Sequence, residues 1–527
     1  MNAYDGWHYL RVGVHGDPQQ IQMIVINCSG NDIEFIVLCW CQISSSSTRL
    51  KNTTQIAPAH TFKHHTPSFA AERVDEHQQK HFAFHAIGNT KKTPHLVFRI
   101  PGAHSTPAIH QYSLQMTSII NRAVARVCEN VTMTQYKVPK DVKNKWSVEA
   151  TGDRHIEEIL AEKAADREDA FFIIDLGRVT DKYKRWKEEL PTVKPFFAIK
   201  CNPNTAIIRT LASLGTGFDC ASMAEMRQVL GCGVSPSDII FANPTKMRSH
   251  IEFAKSAGIK LMTFDNRDEL TKIHSIYPEA ELVLRIITDD SHSVCGFSSK
   301  FGAPLSSVDH LLSTASSIGC TVRGVSFHVG SNCLSPLAFE KAILSAAAVF
   351  RVAEGYGYRM DFLDLGGGWP GVDGAEVTFP DMAAAVRPLL PLFPPHVRVI
   401  AEPGRYFVAD SHTLAVNIYA KRATDDGSYL YYVNDGVYQS FNCIYFDHYS
   451  PRPRLLGVSE KGEEHRSTLF GPTCDSIDCV AKDIYLPELH VGDWLYFTNM
   501  GAYTVAAASS FNGFDACPTT FYIESDI

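Results

Sequence analysis

The sequence has no uninterrupted apolar run of about 18 residues, the length that a membrane-crossing helix requires. Its nearest approach, IEFIVLCWCQI at residues 33–43, is too short and begins just after Asn31-Asp32. A basic stretch leading into an apolar one is also missing from the first residues, which carry Asp5 and Asp17. No secretory signal is therefore expected. The 14 cysteines include no pair of CxxC motifs; apart from Cys39/Cys41 and the looser Cys474/Cys479 they stand singly. This argues against a structural zinc and fits reduced thiols in the cytoplasm. On that reading the sequons at Asn27, Asn52 and Asn130 are chance matches. An excess of positive charge is absent as well. Against 57 Asp and Glu there are 49 Lys and Arg, for a net charge of -8, so neither nucleic acid nor an anionic membrane is expected as a partner.

What is present is an ordinary globular composition, 45% hydrophobic and 20% charged over 527 residues, with room for two or three domains. Residues 1–133 differ from the rest. They hold 11 of the 22 histidines, an SSSST run and many isolated polar residues, and are expected to form a flexible N-terminal extension. His77, His81 and His85 recur four apart, but a metal site needs further ligands and none is expected. Met116 or Met133 reads as an alternative start of the folded part. At the other end, FYIESDI leaves little room for a degradation tail.

Beyond residue 150 the pattern becomes regular. AFFIIDL (170–176) reads as a strand, with a charged helical stretch after it. Eight short apolar strands then alternate with helix-like segments: PFFAIK, TGFDCAS, DIIFANP, LMTFDN, LVLRI, GVSFHVGS, DFLDLGGG and VIAEPGR. Eight such units predict a (β/α)8 TIM barrel over residues 179–408; a doubly wound open sheet is the rival. HTLAVNIYAKRAT, YLYYVNDG, STLFGPTCDSIDCV and DWLYFTNMGAYTVAA read as a mainly-β domain over 409–527, which residues 134–178 are expected to join.

Polar residues recur at the strand ends: Lys200, Asp219, Asn243, Asp265, Arg285, His328, Ser331, Gly366–Gly368, Glu402 and Arg405. In a parallel barrel these ends converge on one face. Lys200 alone reads as a solvated charge, and GGG alone as a tight turn. Together with a carboxylate, a guanidinium, a hydroxyl and a planar histidine, they describe a site for pyridoxal 5'-phosphate. Unobstructed backbone N–H groups and Arg405 suit the phosphate. The Lys200 amine suits the aldehyde, and Glu402 suits the pyridine nitrogen.

At this density the motifs become specific. PFFAIKCNP, LGTGFDCAS, RIITDDSHSVCGFSSKFG, GVSFHVGS, DLGGGWPG, AEPGRYFV, VNDGVYQSFNCIYFDH, FGPTCDSID and VGDWLYFTNMGAYTVAAASSFNGF run collinearly over roughly residues 145–525. In them the chain resembles the eukaryotic ornithine decarboxylases, of the fold type III (alanine racemase-like) group of pyridoxal-phosphate enzymes. The resemblance implies Lys200 as the Schiff-base lysine, Glu402 as partner of the pyridine nitrogen and His328 against the cofactor face. It implies Ser331, Gly366, Gly367, Gly368, Gly404, Arg405 and Tyr503 around the phosphate, with Asp219, Glu225 and Arg285 near the cofactor. It makes Cys474 the proton donor to the α-carbon. It sets Asp447 and Asp475 on the distal ammonium of L-ornithine, with Phe446 and Phe511 beside the substrate. It further implies a homodimer with composite sites, to which Lys300 contributes a link, and it brings in antizyme as a candidate partner. The implied reaction is decarboxylation of L-ornithine to putrescine, the first step of polyamine biosynthesis.

Two positions depart from the pattern. Asn332 stands where glycine is more usual, and Phe446 where animal members often carry tyrosine. Sibling decarboxylases of lysine, arginine or diaminopimelate share most cofactor residues, although the Cys474-Asp475 pair speaks against the last. One methylene separates lysine from ornithine and discriminates by only about 1–3 kcal/mol, so a dual lysine/ornithine activity stays open. A non-catalytic antizyme-binding homologue is expected to lose cofactor residues that this chain keeps, and an alanine racemase-like enzyme is expected to use tyrosine where Cys474 stands.

Overall fold

The computed structural model describes residues 147–457, 463–516 and 518–525, together with the backbone of five strands between residues 7 and 101. The chain divides into two compact units, Met1–Lys137 and Val138–Ile527. In the first, Trp7–Gly13, Ile21–Ser29, Asp32–Cys39, His95–Pro101 and Phe84–His85 form an antiparallel sheet in that spatial order. The expectation of a flexible segment falls, apart from these strands, outside the described residues, as do His77 and His81.

The second unit contains a closed parallel barrel. Its strands are β1 (Val193–Ala198), β2 (Gly217–Cys220), β3 (Ile239–Phe241), β4 (Leu261–Phe264), β5 (Glu281–Arg285), β6 (Thr321–Ser326), β7 (Phe362–Asp364) and β8 (Arg398–Ala401), each hydrogen-bonded to the next and β8 to β1. All eight fall where the alternation predicts. Their sequences are apolar on both faces because both faces are covered. Phe196, Ile240, Val283, Phe362 and Ile400 fill the barrel interior, while Phe197, Phe218 and Phe241 pack outward under the helices. Each such burial contributes about 1.5–3 kcal/mol. Phe196 needs the space that Gly217 leaves, since a Cβ there would lie 2.6 Å from its ring.

The β domain is organised around His412–Ala423, which pairs with Tyr429–Val433, Trp494–Phe497 and Phe171–Asp175. Phe171–Asp175 is also the parallel neighbour of Thr519–Glu524. This last strand is absent from the sequence reading, which took FYIESDI as a chain end. Only Ile523 of it is fully buried, so alternation gives little signal. The run STLFGPTCDSIDCV is not one strand either. Glu464–Phe470 and Cys479–Pro487 are separated by a loop at Cys474, which buried Asp478 ties back by accepting from Val437 N (2.8 Å) and Thr473 N (2.9 Å).

Candidate active site

Lys200 is not on β1. The strand ends at Ala198, and Ile199–Cys201 form one 3-10 turn that lifts the lysine over the barrel mouth. The turn is held from two sides: Ala198 N donates to Pro403 O at 3.1 Å, and Tyr503 N donates to Cys201 O at 3.0 Å. Asn204 then caps the following helix through Ala206 N at 2.9 Å, which explains the turn chemistry of CNPN. The Lys200 amine makes an ion pair with Asp219, whose side chain is buried at the end of β2. Burial disfavours the ammonium, but Asp219 and then Glu402 outweigh it and hold Lys200 above the ordinary lysine range.

The glycines after β7 are required by contact. At Gly366 φ is +61° and a Cβ would stand 2.0 Å from the Phe327 carbonyl oxygen. At Gly367 it would stand 2.6 Å from His328 Nε2. Gly367 and Gly368 line one cavity with Ala198, Lys200, His328, Ser331, Trp369, Glu402, Gly404, Arg405 and Tyr503. Within it Arg405 Nη2 donates to Ser331 Oγ at 2.7 Å, and the guanidinium lies 5.1 Å from the Tyr503 ring centre. Asn332 has φ +52°, so the residue that departs from glycine is one of the few that tolerate the left-handed region.

His328 is held in one orientation. Its Nδ1 accepts from Gly330 N at 3.0 Å, and Phe297 meets it edge-on at 5.0 Å. Burial, then Arg285 and Lys200, push its pKa well below the usual value, so the ring is neutral and Nε2 carries the hydrogen. Glu402 and Asp364 end adjacent strands and are both buried. Glu402 Oε1 and Asp364 Oδ2 have no hydrogen-bond donor among the described residues. Burial, with Asp219 and Asp364 close by, raises Glu402 well above the carboxylate range, while burial pushes Asp364 up to about 7.

These features fit pyridoxal 5'-phosphate on their own terms. Glu402 Oε1 is a buried acceptor that lacks a donor, which a protonated ring nitrogen would supply. Gly367, Gly368 and Gly404 line the cavity with bare backbone that no side chain of their own obstructs, and Arg405 and Ser331 line it with them.

Other expected residues lie elsewhere. Asp447 is buried and takes both its oxygens to Arg405, at 3.0 and 2.6 Å. Arg285 sits with its guanidinium 5.3 Å from the Phe301 ring centre, in reach of Glu402, Asp265 and Asp364 but off the cavity wall. Cys474, Asp475, Phe446 and Phe511 do not line the cavity. Cys474, Phe446 and Phe511 are exposed and Asp475 half-buried; along this rim Phe511 stacks on Tyr438 at 4.3 Å, Tyr438 donates to Asp475, and Cys474 N donates to Asn512 Oδ1 at 2.9 Å. Lys300 is exposed beside Phe301. Trp369, Asp364 and Phe297 were not singled out from sequence. Asp364 carried the signal that could have found it, a carboxylate directly before the glycine run.

The fold and cavity define a pyridoxal-phosphate enzyme of the barrel type. Residues 176–409 match the pyridoxal-binding domain of the pyridoxal-dependent decarboxylases. Ornithine decarboxylase of Schizosaccharomyces pombe is 48% identical over 388 residues, 71% of this chain and 88% of that protein. Antizyme inhibitor 2 of Xenopus laevis is 48% identical over 383 residues, 69% of this chain and 84% of that protein. Among solved structures, the Paramecium bursaria Chlorella virus arginine decarboxylase bound to agmatine is 35% identical with a TM-score of 0.67, covering 70% of this chain and all of that one. The Vibrio vulnificus lysine/ornithine decarboxylase with cadaverine is 30% identical with a TM-score of 0.65, covering 70% and 96%. This chain belongs to the pyridoxal-dependent ornithine and arginine decarboxylase family. It is a decarboxylase whose cofactor is pyridoxal 5'-phosphate. Among the described residues, no helix is long and apolar enough to cross a membrane.

Proposed function

We propose that the chain converts L-ornithine to putrescine and carbon dioxide, the first step of polyamine biosynthesis. The observation that carries this reading is the single cavity where Lys200, His328, Glu402 and Arg405 meet. Bound pyridoxal phosphate supplies the sink for the electron pair left when the bond from the α-carbon to the carboxylate breaks. Lys200 would hold the cofactor through its aldehyde, and Asp219 keeps the lysine head in place. Glu402 would meet the ring nitrogen, and burial makes that carboxyl a good proton holder. Neutral His328 would bound the ring site without adding charge. Arg405, Ser331, Tyr503 and the glycine backbone would hold the phosphate.

Cys474 would give its proton to the α-carbon, and Asp475, with Asp447 once freed from Arg405, would receive the distal ammonium, for which two carboxylates offset the cost of burying a cation. Cys474 and Asp475 lie on an exposed rim with Tyr445, Phe446, Ile477 and Phe511, between 41% and 67% exposed. An apolar surface of this kind beside a proton donor supports a homodimer in which each rim completes the other subunit's cavity. Antizyme is proposed as a further partner. Nine cysteines with described side chains are free thiols, which supports action in the cytoplasm. The non-catalytic reading suggested by antizyme inhibitor 2 is less favoured, because the cofactor-handling set is complete here. Release of carbon dioxide from labelled ornithine, lysine and arginine tests the proposal. Ornithine is expected to react fastest. Lysine turnover at an equal rate would overturn the substrate, and no turnover of any of the three would favour the non-catalytic reading.

A further inference from the structure

Arg405 is a single guanidinium with two anionic claimants. Its Nη1 donates to Asp447 Oδ2 at 3.0 Å and its Nη2 to Asp447 Oδ1 at 2.6 Å, a bidentate fork, while Nη2 also reaches Ser331 Oγ at 2.7 Å. Arg405 and Ser331 line the cavity beside Gly367 and Gly368, and Asp447 does not. Asp447 is 8% exposed, so it sits behind the arginine rather than in water. Among the described residues neither member forms any other ion pair. Further neighbours are the Tyr503 ring and the Cys201, Cys295 and Cys443 thiols, none of them a cation.

A guanidinium offers its paired N–H groups in one plane, and both carboxylate and phosphate seek that same fork. A phosphate gripped at the Nη1/Nη2 edge of Arg405 draws on donors that Asp447 holds, and at any edge it meets a guanidinium whose charge Asp447 already offsets. Removing the Asp447 charge therefore leaves a buried guanidinium that a phosphate alone can compensate. Conversely, once Arg405 turns its fork to phosphate, the Asp447 carboxylate needs another cation.

We infer that Asp447 and the cofactor's phosphate compete for Arg405, so that phosphate binding releases Asp447 to receive the ammonium of a diamino substrate. This rests on the functional reading above, in which Arg405 holds the phosphate. It makes Asp447 a coupling residue between two subsites and orders their filling, phosphate before ammonium. Because linkage is reciprocal, a bound diamine must tighten phosphate binding by the same factor.

The test uses the full-length chain freed of cofactor and titrated with 4-deoxypyridoxine 5'-phosphate, which has no aldehyde and cannot react with amines. Unphosphorylated 4-deoxypyridoxine is the control. In the wild type, 1,4-diaminobutane is expected to raise affinity for the phosphorylated probe about fivefold or more and to leave the control unchanged. Asp447→Asn is expected to bind the phosphorylated probe tighter than the wild type by a similar factor and to lose the diamine effect. Two results overturn the inference: a diamine that leaves wild-type affinity unchanged, or weaker phosphate binding in Asp447→Asn. The first needs no variant, so misfolding of Asp447→Asn cannot shield the idea. A wild type that does not prefer the phosphorylated probe to the control would instead overturn the phosphate site itself.

Discussion

Gly367→Ala isolates the contact between the glycine run and His328. Gly367 is not among the residues with positive φ, so alanine meets no backbone strain there. Its Cβ would lie 2.6 Å from His328 Nε2 and 3.0 Å from the Glu402 carbonyl oxygen, where ordinary contact begins at 3.4 Å. The backbone carbonyl has little freedom, so the imidazole must retreat by roughly 0.8 Å. His328 lines the cavity proposed to hold the cofactor, and a displacement near 1 Å at a reacting centre costs about 10²-fold. The expected outcome is a fall in turnover of about tenfold to a hundredfold, a weaker cofactor affinity measured by fluorescence titration, and a melting temperature close to that of the wild type. Gly231→Ala, where a Cβ meets nothing within 4 Å, is the control and should change none of these. Gly366→Ala should fail differently. At φ +61° and 2.0 Å from a backbone oxygen it should lower the melting temperature itself. Wild-type turnover and cofactor affinity in a folded Gly367→Ala protein would refute the claim that this contact fixes the site.

Cys474→Ala and Lys200→Ala should each be nearly inactive alone. If the sites are composite, an equal mixture should recover up to about one quarter of wild-type activity after subunit exchange, because half the dimers then carry one intact site. A mixture as inactive as its components would argue for sites within one subunit. Asp435 is buried, with Ser440 N at 2.9 Å and Ser440 Oγ at 2.6 Å, and burial pushes it from the ordinary 3.8 up to about 7. The folded protein thus holds this proton more tightly than the unfolded chain. The stabilisation is fully present below pH 3.8 and is lost as pH rises through about 7. Asp435→Asn should flatten the decline of stability across that window, by up to about 1.4 kcal/mol per pH unit, as read from denaturant midpoints. An unchanged slope would contradict it.

The barrel was legible because its strands are apolar on both faces and its helices are periodic, so β1 to β8 each announce themselves. Strand ends were less so. Lys200 reads as the last residue of a strand because Ile199 continues the apolar run, but Ala198 N donates to the Pro403 carbonyl and Tyr503 N to the Cys201 carbonyl, and these partners, distant in sequence, close a turn there. Lys200, His328, Ser331, Gly367, Gly368, Glu402, Arg405 and Tyr503, each singled out in the sequence, share one cavity. The rim residues Cys474, Asp475 and Phe511 do not line it; in the proposed homodimer they would serve the other subunit's cavity, which no single-chain pattern encodes. Asp447 shows another limit. Its residue type suits an ammonium, yet its nearest cation is Arg405, a pairing set by packing across 42 residues of chain. Thr519–Glu524 escaped because a partly exposed strand leaves little periodic trace, even though it is paired on both sides, by Phe171–Asp175 and Val148–Ala150.

The central claim is that Lys200 is the amine that holds the cofactor. A rival exists in the same barrel: Lys246 is fully buried, bonded to Asn243 O at 2.9 Å, and burial lowers its pKa to about 8, closer to a reactive free amine. Borohydride reduction of the cofactor-loaded chain, followed by peptide mass mapping, separates them. The account predicts a single reduced adduct on the peptide containing Lys200 and none in Lys200→Ala. An adduct on Lys246, or one that persists in Lys200→Ala, would contradict it.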